Sequence, residues 1–205
     1  MRCIPVGADA VLVEVADAME ATALFTEARR RGTAARDIVP AAATVLFDGV
    51  TDLNALIEEL PQWSLPVGRI ASGPLVEVPT VYDGPDLDAV SQLWDMTSRE
   101  VVETHTSMEM LVAFCGFSPG FAYCTGLPVE RAVPRLDSPR TRVPAGSVGL
   151  AGQFTGVYPS ASPGGWQLIG RTDLALWDPS RDQPATLPPG TRVRFVEMNR
   201  GVVDR

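Results

Sequence analysis

His105 is the one imidazole in the chain. Any Ser-His or Cys-His catalysis must therefore run through it, and a metal site built from several imidazoles is impossible. The spacing of Val101, Val102 and His105 places all three on one face of a predicted helix. Two roles fit that position: a general acid or base, or a packed helix-end histidine favoured by the dipole. The basic residues are all arginines, because the chain has no lysine. That excludes Schiff-base chemistry, a P-loop lysine and a biotin attached to this chain. Cys3, Cys115 and Cys124 are odd in number and far apart, so they read as reduced thiols and not as a disulfide framework or zinc site. No basic motif beside Cys115 or Cys124 marks an activated thiolate.

The arginines are unevenly distributed. The net charge is −8, yet from Cys115 to Arg171 there are five arginines (131, 135, 140, 142 and 171) against Glu130 and Asp137 alone. A basic stretch rich in glycine amides within an acidic protein predicts a site for a small anion, a carboxylate or phosphate. Arg140 and Arg142 are two apart, so on a strand they share a face. The alternative is that they pair with acids of the other domain. The acidic balance excludes a duplex-binding module. No apolar run approaches the ~20 residues of a membrane span, and Met1-Arg2-Cys3-Ile4-Pro5 carries no secretory apolar segment. The expected compartment is the cytosol, with no nucleic-acid or membrane partner.

These groups must be positioned by 205 residues, enough for one large domain or two small ones. Residues 1–83 alternate strands and helices: a strand at Ala10–Val15, a helix capped by Asp17 with Ala21, Leu24, Phe25 and Ala28 on one face, and a stop at Gly32. A strand follows within Ile38–Phe47, then a helix at Leu53–Leu60 ended by Pro61, and a third strand at Leu75–Tyr82. This order predicts an α+β sandwich of ferredoxin-like type. The turn at Asp83-Gly84-Pro85-Asp86 marks the expected boundary. Beyond it, Leu87–Trp94 reads as a short helix, and Thr97-Ser98-Arg99-Glu100 as a capping box opening another. Residues 115–170 hold 10 glycines and 7 prolines, interleaved with aromatics, which predicts packed β structure with tight backbone approaches. Leu174–Trp177 and Arg192–Met198 are expected as closing strands. Residues 84–205 thus read as a β-rich barrel or sandwich behind two helices.

The glycine-rich stretch Phe114-Cys115-Gly116-Phe117-Ser118-Pro119-Gly120-Phe121-Ala122-Tyr123 resembles the signature of the allophanate hydrolase subunit 1 family, also called the 5-oxoprolinase B-subunit family. That family includes the sporulation-kinase inhibitor KipI. The His105-Thr106 pair, Pro134-Arg135, the run from Pro139 to Val148, Thr155-Gly156-Val157-Tyr158-Pro159 and the run from Ser162 to Thr172 match in order. One departure stands at Phe154, where the family often carries glutamine. The resemblance implies an N-terminal ferredoxin-like domain and a C-terminal cyclophilin-like β-barrel. It implies a subunit of a heteromeric, ATP-dependent amide or lactam hydrolase, opening 5-oxoproline to glutamate or cleaving an allophanate-like ureido acid. The implied partners are a homologous cyclophilin-like subunit 2 and a further subunit. Activity would require the complex, with ATP as its cofactor. The implied site joins His105 as catalytic residue to substrate contacts at Arg135, Arg140, Arg142, Phe117, Pro119, Gly120, Tyr123, Gly146, Ser147, Thr155, Tyr158, Gly164, Gly165 and Trp166, with no metal. The resemblance also allows a KipI-like protein that inhibits a histidine kinase.

Overall fold

The computed structural model describes residues 1–65 and 73–198. The chain divides into two compact units, Met1–Ala71 and Ser72–Arg205. The first contains β1 (Arg2–Val6), β2 (Ala10–Glu14), α1 (Ala18–Arg31), β3 (Asp37–Pro40), β4 (Thr44–Asp48) and α2 (Leu53–Glu59). Its antiparallel sheet has the order β1-β2-β4-β3. Helix α1 starts where the sequence predicts: the Asp17 carboxylate accepts the Met19 and Glu20 backbone N–H groups, and Gly32 ends the helix at φ 64°. The cap satisfies two orphan donors, a contribution of about 1 kcal/mol. Ala21, Leu24 and Ala28 are buried against Val11, Val13, Val45 and Phe47 of the sheet.

Two sequence expectations fail in this unit. The strand expected within Ile38–Phe47 is a hairpin of two, β3 and β4. The outer strand beside β2 is β1, which the sequence reading left out, and not Leu75–Tyr82. That later segment is β5 (Leu75–Thr80), and it belongs to the second unit because it pairs in parallel with the last strand of the described residues. The units therefore divide after Ala71 and not after Asp83.

The second unit continues with α3 (Leu87–Trp94), α4 (Ser98–Ser107), β6 (Met110–Cys115), β7 (Ala122–Thr125), β8 (Arg140–Val143), β9 (Ser147–Ala151), β10 (Phe154–Val157), β11 (Ser162–Gly164), β12 (Gln167–Arg171) and β13 (Arg192–Glu197). Seven of these strands form a sheet of order β12-β9-β10-β7-β6-β13-β5. Its two edges meet at a bridge in which Val81 and Arg171 exchange backbone hydrogen bonds of 2.9 Å, so the sheet nearly closes into a barrel. Val78, Val112, Cys124, Leu150, Val157, Ile169 and Phe195, one from each strand, converge in a single core with Val90, Trp94 and Val101 of the helices. Each such side chain contributes roughly 1.5–3 kcal/mol on burial. Thr97 and Glu100 form the capping box expected at the start of α4. Leu174–Trp177, expected as a strand, forms only an isolated bridge between Trp177 and Ala185. Strands β8 and β11 pair as a separate ribbon.

Candidate functional site

Side chains alternate across a strand, so each residue of the barrel wall faces either the core or the outside. On β10, Thr155 and Val157 face the core, whereas Phe154 and Gly156 face outward. On β7 the outward residue is Tyr123, and on β12 it is Leu168. The outward residues meet a second cluster formed by Phe121, Val143, Ala151, Tyr158, Trp166 and Leu168, with Tyr123 and Phe154 packed against it. The glycine pattern explains how these rings come so close to the wall. Gly149 and Gly156 are cross-strand partners. A methyl group on either would lie about 3 Å from the Trp166 side chain: 3.2 Å to its Cβ from Gly149 and 3.0 Å to its ring from Gly156. The missing side chains form a furrow that the indole fills.

Around that indole the rings interlock edge to face. Phe121 stands 5.3 Å from Trp166 and 5.2 Å from Tyr158, both near perpendicular. Tyr123 lies 5.5 Å from Trp166 and stacks on Phe114 at 4.3 Å. Such pairs add about 0.5–1.5 kcal/mol each beyond burial. Phe117 completes the set, 5.3 Å from Phe121 and 6.3 Å from Tyr158. It is 60% exposed, and its φ of 69° lies in the left-handed region. A non-glycine residue held there costs on the order of 1–3 kcal/mol. Exposure and backbone strain thus coincide on one aromatic residue of the signature loop.

Charge borders this aromatic face. Burial raises the Tyr123 and Tyr158 phenols, and the Arg135 guanidinium pulls both back. Arg135 and Arg142 are exposed and have no ion-pair partner among the described residues. Arg140 differs from both. One of its nitrogens donates to both Asp86 oxygens at 2.7 and 2.9 Å, another donates to the Trp166 carbonyl at 3.3 Å, and Asp86 also accepts the Leu168 N–H at 2.6 Å. Arg140, expected at substrate, is therefore paired internally. Its partner lies within the same unit, not across a domain boundary.

His105, for which a catalytic and a packed role are both expected, lies in the core. It is fully buried, 4.5 Å from the Phe195 ring. Its Nδ1 lies 2.7 Å from the Tyr82 hydroxyl and its Nε2 3.3 Å from the Thr155 hydroxyl. Burial pushes its pKa down to about 3, so the ring is neutral. Burial, reinforced by Glu197, raises the Tyr82 phenol, so the hydroxyl is protonated and, with the ring in its Nε2–H tautomer, donates a hydrogen bond to Nδ1. That leaves Nε2–H to donate to Thr155. Because Thr155 faces the core, His105 and Thr155 lie on the opposite face of the barrel wall from Tyr123, Tyr158 and Trp166. Burial also pushes Cys115 up to about 11 and Cys124 to about 12, which fits the absence of an activated thiolate.

The remaining expected residues are backbone elements of the same face. Gly146 donates to the Tyr158 carbonyl at 2.7 Å, Ser147 accepts the Tyr158 N–H at 3.0 Å, and the Gly165 carbonyl accepts the Leu136 N–H at 2.8 Å. Gly164 lies beneath the Tyr158 ring, and Gly120 packs against Leu176 and Trp177. Pro119 is exposed in the loop. Beside Arg135 opens a cleft of about 440 Å³, lined by Gln92 and Leu93 of α3, by Arg135, Leu136 and Asp137, and by Gln167. Gln167 is 7% exposed. Its Nε2 donates to the Pro134 carbonyl over a long 3.4 Å, and its buried Oε1 has no hydrogen-bond partner among the described residues. The sequence reading missed Gln167, although it follows Trp166 within a matched run. Among the described residues no cluster of acids, cysteines and histidine could hold a metal ion.

Comparison with known proteins supplies the family. The carboxyltransferase domain, subdomain C and D, matches residues 1–187. A 5-oxoprolinase B-subunit from Escherichia coli O157:H7 is 52% identical over 130 residues, covering 62% of this chain and 60% of that protein. The 5-oxoprolinase B-subunit of Haemophilus influenzae is 40% identical over 157 residues, covering 75% and 74%. The crystal structure of TTHA0988 superposes with a TM-score of 0.76 at 31% identity, over 94% of this chain and 40% of that one. The chain thus spans about 60% of the Escherichia coli relative's length and 40% of TTHA0988. With its signature loop, its aromatic outer face and a match over nearly its whole length, the chain belongs to the family of carboxyltransferase domains of subdomain C and D type.

Proposed function

We propose that this chain is a subunit of an ATP-dependent hydrolase that opens a lactam or related amide, most simply 5-oxoproline to glutamate. The observation that carries the reading is the identity of 40–52% to relatives named as the B-subunit of 5-oxoprolinase. The geometry agrees with it. The cleft beside Arg135, which has no ion-pair partner among the described residues, suits a small, carboxylate-bearing substrate. An allophanate-like ureido acid has the same pairing of carboxylate and amide, and is the alternative substrate. The chain acts in the cytosol with a homologous subunit 2 and a further subunit. Arg142 and the exposed Phe117 face that assembly.

ATP belongs to the assembly and not to a phosphate cradle in this chain. The chain lacks lysine, and its glycine-rich loop at 116–120 leads into strand β7 and not into a helix N-terminus. His105 acts here as a positioning residue. Its neutral ring fills the barrel core and holds Thr155 and Tyr82.

The test is co-expression with the neighbouring subunits, followed by measurement of glutamate released from 5-oxoproline. Release that requires both ATP and this chain is expected. A stable complex that leaves 5-oxoproline and allophanate untouched overturns the reading. Phe117, strained and exposed, favours a second reading in which the outer face docks on a histidine kinase. Inhibition of kinase autophosphorylation by the parent, lost in Phe117→Ala, would carry that reading.

A further inference from the structure

We infer that the cleft between α3 and the 134–137 segment is the seat of a small carboxylate carrying a nearby N–H: a lactam, amide or ureido acid. In this seat Arg135 takes the carboxylate and Gln167 the N–H. The inference rests on the hydrolase reading and assigns its substrate a place.

Three observations meet at this cleft. Its volume, about 440 Å³, suits a small organic acid. Arg135 lines it with no ion-pair partner among the described residues, and a guanidinium fork matches a carboxylate bidentately. Gln167 supplies the third and most specific feature. A buried carbonyl oxygen without a donor is unfavourable, and Gln167 Oε1 has no partner among the described residues. Its amide is tied down only by the long bond to Pro134. Rotation about the terminal torsion, which has broad and shallow minima, turns Oε1 toward the cleft. An entering N–H then satisfies it.

Asp137 also lines the cleft. The acid group pairs with the Arg135 guanidinium and the N–H with Gln167. The ligand is thus recognised by the presence of an N–H, which ring shape alone does not report. A site built to accept a donor discriminates strongly against an isostere that lacks one.

The experiment is calorimetric titration of the full chain with 5-oxoproline and with its lactone isostere, in which oxygen replaces the ring N–H. The parent is expected to prefer the lactam by about tenfold or more. Gln167→Leu should bring the two ligands within about twofold of each other. Gln167→Glu, which keeps an acceptor, should retain the preference while weakening both. Arg135→Ala should weaken both alike. Thermal melts confirm folding, and Gln167→Met replaces Gln167→Leu if the latter does not fold. Equal affinity of the parent for both ligands, no binding up to about 10 mM, or a folded Gln167→Leu that still prefers the lactam overturns the inference. If the assembled complex hydrolyses 5-oxoproline and Gln167→Leu does so at the parental KM, the inference fails while the hydrolase reading stands. If the chain binds a ureido acid with the same dependence on Gln167 while the complex leaves 5-oxoproline intact, the substrate reading fails while the inference stands.

Discussion

Gly149 and Gly156 face each other across β9 and β10, and the indole of Trp166 lies in the furrow they leave. The aromatic face is therefore built on two absent side chains. Gly156→Ala places a methyl 3.0 Å from that ring and 3.1 Å from Phe121, and Gly149→Ala places one 3.2 Å from the Trp166 Cβ. Overpacking of this kind costs typically 1–3 kcal/mol. Both variants should unfold at lower urea concentration with an unchanged m-value, and Trp166 fluorescence should shift. A Gly156→Ala protein as stable as the parent would contradict the furrow.

Phe117 and Phe121 should respond in opposite ways. Phe121 is buried at the centre of the cluster, so Phe121→Ala should cost about 3–5 kcal/mol. Phe117 is mostly exposed and sits at φ 69°, a conformation asparagine tolerates. Phe117→Asn should change stability by less than about 1 kcal/mol. In the assembled complex it should raise KM or weaken assembly. A large stability loss without a functional effect would show the ring to be a packing element.

Arg140 should behave as a structural clamp. Its bonds tie β8 to Asp86 and to the Trp166 carbonyl just before β12, and Asp86 in turn accepts the Leu168 N–H of β12. Removing one partner leaves Asp86 buried without its counter-charge, which costs about 2 kcal/mol or more. Arg140→Ala and Arg140→Lys should both lower the denaturation midpoint, because an ammonium cannot reproduce the fork. KM for the substrate should stay near parental. A raised KM with unchanged stability would return Arg140 to the substrate.

His105 makes stability depend on pH with a defined sign. Its folded pKa, about 3, lies below the ordinary value near 6.5. The unfolded chain therefore binds a proton that the folded chain refuses. Stability from this group is complete above about pH 6.5 and falls as pH drops toward 3, by up to ~1.4 kcal/mol per unit. Melts from pH 7 to pH 4.5 should show this slope, and His105→Phe should flatten it. Turnover of the complex at neutral pH should survive that change if His105 is a core residue. A folded His105→Phe protein without activity would make it catalytic.

What the sequence showed and what it hid follow the range of the interactions. Helix α1 was legible because its cap, from Asp17 to Glu20, and its apolar spacing are local. The aromatic face was legible through the ordered run of glycines and rings from Phe114 to Trp166. The partner of β5 was hidden, since the pairing of Leu75 with Arg192 leaves no local mark. The Asp86 partner of Arg140 was hidden for the same reason, because it lies 54 residues away in the chain. The separation of His105 from Tyr158 depends on which way Thr155 points, a property of the strand register. Gln167 was invisible because only geometry shows that its carbonyl has no donor.

The parallel pairing of β5 with β13 has a consequence for how the molecule comes into being. The first strand of the second unit finds its neighbour only when the last has been made. On a ribosome, β5 must wait while α3 through β12 emerge, with its hydrogen-bonding edge open. Such distant pairing closes a large loop and forms late. The barrel can therefore seal only once β13 clears the exit tunnel. Until then the strands it joins are the part of the nascent chain most exposed to aggregation and most in need of a chaperone.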